Sequence, residues 1–308
     1  MPAPPGDFGI LMAFPGRLRR VQERSHPVDS LDPGALGPRP PRALGVLGAG
    51  GSPGTTFVSL NVAWALAANG FRVALIEAGG GLGTVAVRLN LKEDRSLAYL
   101  AHEANVRPLD RQLMERHLQR SGPLDVLGGA FEPAGAGAVA PEVFDAVTTL
   151  LSEDHELIVV DLGPLGSHLT AAHARRCQAL CWVVAPTPVG VDLFDRVVRS
   201  PLANPLRAKP NLAILNGAGP GTLATSESAF LRRYGMPLVA TIPFNRRACL
   251  RADSVQRPAV IEGELRAPLR AATRAVATHI FHGPSRDPVP DPGPRVVPGL
   301  MERSGAES

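Results

Sequence analysis

The chain has 308 residues, a formal net charge of +4, 44% hydrophobic and 19% charged residues, and three cysteines. That length allows one large domain or two small ones with a real core, three cysteines exclude a disulfide scaffold, and no run of about 18 apolar residues offers a spanning helix. A reduced, cytoplasmic protein is the expectation. Of 32 basic residues only Lys92 and Lys209 are lysines, so chemistry that needs an ammonium group must use one of these two, and arginine carries nearly all the positive charge.

Residues 1–42 hold nine prolines and residues 284–308 hold six. Proline at that density removes backbone donors and leaves too little apolar surface to offset the entropy of ordering, so both ends are expected to be Pro-rich, disordered, protease-sensitive linkers or tails. Within the first, residues 8–24 join the apolar run Phe8 to Phe14 to Arg17, Arg19, Arg20 and Arg24. The arginines follow the apolar run instead of preceding it, which excludes a signal peptide. The mixture suits a membrane-surface or partner-docking element, although Gly9, Pro15 and Gly16 interrupt a continuous helix. One folded domain is expected over residues 43–283.

Inside it, short apolar runs alternate with amphipathic stretches. Strands are predicted at Ala43 to Gly48, Arg72 to Glu77, Leu124 to Leu127, Leu157 to Asp161, Ala179 to Ala185, Asn211 to Leu215 and Leu238 to Ile242. Helical spacing occupies Thr55 to Asn69, Leu109 to Gln119, Pro141 to Ser152, Thr225 to Tyr234 and Glu262 to Ile280. Near-continuous apolar strands separated by helices indicate a doubly wound, mostly parallel α/β sheet with helices on both faces.

The first strand runs into Gly48-Ala49-Gly50-Gly51-Ser52-Pro53-Gly54-Thr55-Thr56 and then directly into a helix. A glycine-rich turn at a helix N-terminus aims free N–H groups and the positive dipole end at one point, where a phosphate fits, and a hydroxyl at the helix start can bind Mg²⁺. The full signature puts a lysine before that hydroxyl. Here the hydroxyl is Thr56 and the lysine position holds Thr55. A tight turn rich in glycine for packing reasons alone accounts poorly for four glycines and two threonines in nine residues.

In these residues the sequence resembles the ParA/MinD group of deviant P-loop ATPases, and within it the CpaE/TadZ branch of pilus-assembly proteins. Gly50-Gly51-Ser52, Gly54-Thr55-Thr56-Phe57 and Leu60 to Ala67 resemble the phosphate loop and first helix, with Pro53 a departure. Ile158 to Asp161 resembles the strand that ends in the Mg²⁺-associated aspartate. Ala213 to Asn216 resembles the strand whose terminal Asn reads the adenine, and Ile242-Pro243-Phe244 with Gln256-Arg257-Pro258 the turn and loop that wall in the base. The resemblance implies a P-loop NTPase fold over residues 43–281 that binds ATP and Mg²⁺. Gly50, Gly51, Ser52, Gly54, Thr55, Thr56, Asn216 and Pro243 would hold the nucleotide, and Thr56 and Asp161 the metal.

Catalysis is another matter. The family's loop carries two lysines where this chain has Ala49 and Thr55, and its D-x-D pair reads Glu77-Ala78-Gly79. Phosphoryl transfer depends on positioned charge, so weak or absent hydrolysis is the expectation. The resemblance implies a homodimeric positioning or assembly scaffold for a pilus or secretion apparatus, cytoplasmic or peripheral to the inner face of the membrane. The alternative is an active ATPase in DNA partition, flagellar placement or cellulose secretion. For Asn216 a plain turn residue in Asn-Gly remains open, as does helix capping or a turn hydrogen bond for Asp161.

Cys177 and Cys181 lack a second Cys or His pair with zinc spacing and read as a buried structural pair. Arg266, Arg270 and Arg274 form a basic stripe on the last helix, with Arg246, Arg247 and Arg251 in the loop before it. A solvated helix face explains them as well as nucleic acid does, and the modest net charge argues against nucleic acid as the partner.

Overall fold

The computed structural model describes residues 42–50, 53–132, 139–222 and 225–282. The segment 8–24, the tail 284–308, Gly51 and Ser52 lie outside the described residues. Strands β1 (Arg42–Gly48), β2 (Val73–Glu77), β3 (Gln119–Ser121), β4 (Leu124–Leu127), β5 (Leu157–Pro164), β6 (Ala179–Val184), β7 (Asn211–Ala218) and β8 (Leu238–Pro243) form one sheet in the order β3-β4-β2-β5-β1-β6-β7-β8. Every neighbouring pair is parallel except β3 with β4.

The connections hold helices α1 (Thr55–Ala68), α2 (Val85–Arg88), α3 (Leu97–Ala104), α4 (Arg111–His117), α5 (Pro141–Asp154), α6 (His168–Arg176), α7 (Pro188–Arg199), α8 (Glu227–Tyr234), α9 (Arg246–Ser254) and α10 (Arg266–His282). Successive strand side chains alternate between two cores, as the two-residue period of a strand requires. On β1, Leu44 and Val46 join the core built with α1 and α10, and Ala43 and Leu47 join the core with α5, α6, α7 and α8. Both faces are therefore covered, which is why the predicted strands read as unbroken apolar runs. Helix α1 is buried on most of its circumference, including Ser59 and Asn61. Their polar atoms are bonded internally: Ser59 Oγ donates to Thr55 O at 2.9 Å, and Asn61 accepts from the Val260 N–H at 2.8 Å.

All seven predicted strands form, with ends shifted by a few residues. β3 was not predicted. It is three polar residues turned back antiparallel through Gly122 at φ +53°, and has no apolar run to reveal it. The predicted helix over 109–119 stops at His117 because Gln119 already pairs with Val126. Helices α2, α3, α6, α7 and α9 lie beyond the five predicted. Most begin at a capping side chain, such as Ser96, Ser167, Thr187 and Asn245, each accepting a backbone N–H three residues on.

Two sequence readings need correction. Arg246, Arg247 and Arg251 lie on α9 and not in a loop, because Asn245 accepts from Ala248 N at 2.9 Å and starts a helix there. Cys177 and Cys181 are both buried, yet they occupy opposite cores, Cys177 at the end of α6 and Cys181 on β6, and so are not a pair. Burial pushes both thiols above their ordinary pKa, Cys177 to about 12, and each behaves as a small apolar side chain. Within the expected stripe on α10, Arg266 is exposed, whereas Arg270 and Arg274 are half-buried and hold partners.

Candidate functional site

In an open parallel sheet, helix N-termini and strand C-termini meet along one edge, which is the usual ligand edge. Here the turn after β1 folds over the strand end. Gly50 and Gly54 both stand at φ +87°, in the left-handed region that favours glycine. Pro53 is buried against Gly48, where a Cβ would come 2.5 Å from Pro53 Cγ and 3.0 Å from Thr55 Oγ1. Gly54 is the N-cap of α1 and supplies no side chain to its first N–H groups. Those donors and the positive end of the helix dipole point into the turn, which is the chemistry an anion needs.

A Cβ at Gly54 would also collide with Asn216 Nδ2. Gly54→Ala therefore combines a disfavoured φ with a steric conflict, and is expected to lower unfolding free energy by about 1–3 kcal/mol. Urea denaturation measures this, and an unchanged midpoint would show that the turn relaxes freely.

Asp161 on β5 lies beside this turn and is 1% exposed. Sheet register sets it between Val46 of β1 and Glu77 of β2. Burial pushes its carboxyl up to about 7, the neighbouring charge of Glu77 adds to the rise, and the Thr56 hydroxyl, the Gly163 N–H and the Ser59 hydroxyl oppose it. Asp161 Oδ1 accepts from Gly163 N at 3.2 Å. A buried acid next to a second acid, with a threonine hydroxyl at hand, is a donor set of hard oxygens that a small divalent cation would relieve. Thr56 and Asp161 thus fit Mg²⁺.

Glu77 does something else. It is 6% exposed, and its carboxylate collects backbone donors: Oε1 accepts from Thr84 N at 2.7 Å, and Oε2 from Gly129 N at 2.9 Å and Val85 N at 3.2 Å. Burial raises its pKa while these N–H groups oppose the rise. The surrounding glycines are required by this packing, since a Cβ at Gly83 would come 2.6 Å from Glu77 Oε2 and 2.8 Å from Gly129 Cα. Glu77 ties the end of β2 to the start of α2 and to the segment after β4. The sequence pattern alone did not reveal that role; the only available signal was the pair of glycine clusters at 79–83 and 128–129.

Asn216, near the end of β7, reaches the same turn. Its Nδ2 donates to Pro53 O at 2.8 Å across 163 residues of sequence. Pro243 ends β8 opposite Ala218, so the two expected base-side residues sit on adjacent strand ends. The fold therefore gathers Gly50, Gly54, Thr55, Thr56, Asp161 and Asn216 around one turn, with Pro243 alongside. A small cleft of about 80 Å³ opens next to it, lined by Ala49, Gly50, Pro53 and the first turn of α7.

Neither lysine reaches this place. Lys209 precedes β7 at the opposite edge of the sheet, and its Nζ donates to Cys177 O at 2.7 Å. Lys92 is exposed and lies by β3, with Gln119 Oε1 accepting from its backbone N–H at 2.9 Å. β3 is four strands from β1, or about 19 Å at the usual strand spacing. Arg88, whose charge acts on Glu77, is committed to an ion pair with Asp253.

No family model matches the chain, and no curated protein matches it. Solved structures do. The cell division ATPase MinD of Pyrococcus furiosus superposes with a TM-score of 0.65 at 20% identity, over 77% of this chain and 98% of that one. A ParA family ATPase from Chlorobium tepidum gives 0.64 at 18% identity, over 76% and 97%. The septum site-determining protein MinD of Pyrococcus horikoshii, solved with Mg-ADP, gives 0.63 at 18% identity, over 78% and 98%. The chain thus has, over about three quarters of its length, the fold of the MinD and ParA ATPases.

Proposed function

We propose that this chain is a ParA/MinD-type protein of the CpaE/TadZ-like kind, a homodimeric positioning or assembly scaffold for a pilus or secretion apparatus, which binds ATP with Mg²⁺ weakly and hydrolyses it little or not at all. One observation carries the nucleotide reading. The turn after β1 leads into α1, whose N-cap Gly54 leaves the first N–H groups without a side-chain cap of its own, with the buried acid Asp161 beside the Thr56 hydroxyl. The comparison with a Mg-ADP complex of the same fold supports the ligand class.

In this reading the α1 N-terminus and the turn N–H groups hold the phosphates, Thr56 and Asp161 hold Mg²⁺, and Asn216 and Pro243 flank the base. Mg²⁺, when bound, would neutralise phosphate charge. No lysine stands there, since Ala49 and Thr55 are uncharged and both lysines lie elsewhere. Gly79 provides no second carboxylate, and Glu77 is occupied by three backbone donors. A site with anchoring groups but without charges to stabilise a transferring phosphoryl group binds without turning over.

Calorimetry with ATP and ADP plus Mg²⁺ tests this. A missing charge-assisted contact is worth about 1.5–3 kcal/mol, so affinity is expected to be roughly ten- to a hundredfold below that of an intact loop. ATP turnover is expected at background, and Thr55→Lys alone should not restore it. Undetectable binding at millimolar ATP would make the turn a purely structural feature. Turnover that Asp161→Ala abolishes would instead favour the active ATPase.

A further inference from the structure

The amide of Asn216 faces a backbone carbonyl, and a carbonyl only accepts, so the side chain must present its nitrogen, and not Oδ1, to Pro53. This bond joins two parts of the site that are remote in sequence: the turn that would grip phosphates and the strand end that would meet a base. Among the described residues of the turn, Gly50 and Gly54 are left-handed glycines, the N-cap Gly54 offers α1 no side chain, and a Cβ built at Gly50 meets nothing within 4 Å. Close packing at one point compensates, because the Asn216 amide occupies the space that any side chain at Gly54 would need.

The geometry points to Asn216 as a positioning residue for the phosphate turn. It holds Pro53 and Gly54 in the arrangement that aims the α1 N–H groups at an anion, and this effect does not require a base in the site. A ligand with phosphates and no base should therefore sense Asn216. A ligand with a base that engages Oδ1 would strengthen the same tie, since accepting at Oδ1 polarises the amide toward Pro53. The turn and the base side would then bind cooperatively through one side chain. The inference rests on the nucleotide reading above, and the probe is chosen to separate the two.

The probe is inorganic tripolyphosphate with Mg²⁺, titrated calorimetrically into the full-length wild type, Asn216→Ala and Asn216→Leu, with ATP titrated in parallel. Thermal melts confirm that each variant folds. Asn216→Leu keeps the side-chain size, has no donor for Pro53 and adds no charge that would repel polyphosphate, so it separates the bond from the packing. Both variants are expected to lose roughly fivefold in tripolyphosphate affinity, the equivalent of one net neutral hydrogen bond. The loss for ATP should be at least as large. Unchanged tripolyphosphate affinity with weakened ATP would overturn the inference and leave Asn216 a base contact alone. Wild type that binds ATP but not tripolyphosphate would overturn it too, since the turn would then have no grip independent of the base. Wild type that binds neither would overturn the nucleotide reading and this inference with it.

Discussion

Without nucleotide or Mg²⁺, Asp161→Asn is expected to be more stable than the wild type at pH 8 and no more stable at pH 4. Burial raises the folded-state pKa of Asp161 to about 7 from an ordinary 3.8. Between those values the folded protein holds a proton that the unfolded chain has released. Stability of the wild type therefore falls as pH rises through this window and is lowest above it. The full shift corresponds to roughly 4 kcal/mol at about 1.36 kcal/mol per pKa unit. The amide of Asn carries no charge to desolvate, its oxygen can still accept from Gly163 N, and the Thr56 and Ser59 hydroxyls can turn to accept from its nitrogen. Thermal melts of both proteins across pH 4–8 measure the difference. The same substitution should remove Mg²⁺-dependent stabilisation by ATP, because it takes away the anion that would hold the metal. A wild-type melting temperature that is flat over this range, with a pH-independent offset between the two proteins, would show that Asp161 is not strained by burial.

Glu77→Ala is expected to act in the opposite direction. Removing the carboxylate leaves the Thr84, Val85 and Gly129 N–H groups without their acceptor in a site that is 6% exposed. Val85 and Gly129 are buried, and each buried donor left unpaired costs about 1–3 kcal/mol, so a loss of about 2–6 kcal/mol is expected in urea denaturation. Glu77→Gln retains one carbonyl oxygen and should lose less. Amide hydrogen exchange at Gly129 and Val85 should accelerate before global unfolding. If Glu77→Ala unfolds at the wild-type urea concentration, the carboxylate is not a tie between β2, α2 and the segment after β4. The two acids are neighbours in the sheet register. One is satisfied by backbone donors and the other only in part, and that difference decides which is available to a metal.

Much of the fold was legible because parallel strands buried on both faces must be apolar at every position, and Leu157 to Val160 or Ala179 to Val184 admit no other reading in an α/β alternation. The turn at Gly48 to Thr56 was legible for a related reason: left-handed backbone at Gly50 and Gly54 demands glycine, so geometry is written directly in composition. Short elements such as β3 and α2 were not legible, since three or four residues carry no period and their pairing partners are remote in sequence.

The chemistry of individual side chains divides along the same line. That no lysine stands in the turn is a property of the sequence alone, because two lysines at 92 and 209 leave nothing to rearrange locally. That neither lysine arrives from elsewhere was settled by topology, which puts Lys209 at the far edge of the sheet and Lys92 beside β3. Asp161 could be singled out as an acid at a strand end, but its raised pKa comes first from burial in the folded sheet and then from Glu77 lying in register on the adjacent strand, 84 residues away in the chain. Asn216 could be named as a strand-end residue, but its bond to Pro53 exists only because β7 and the turn after β1 come together in the folded sheet. Composition and local backbone geometry are encoded residue by residue, whereas desolvation, charge coupling and remote hydrogen bonds are properties of distance, and distance is decided by the tertiary structure.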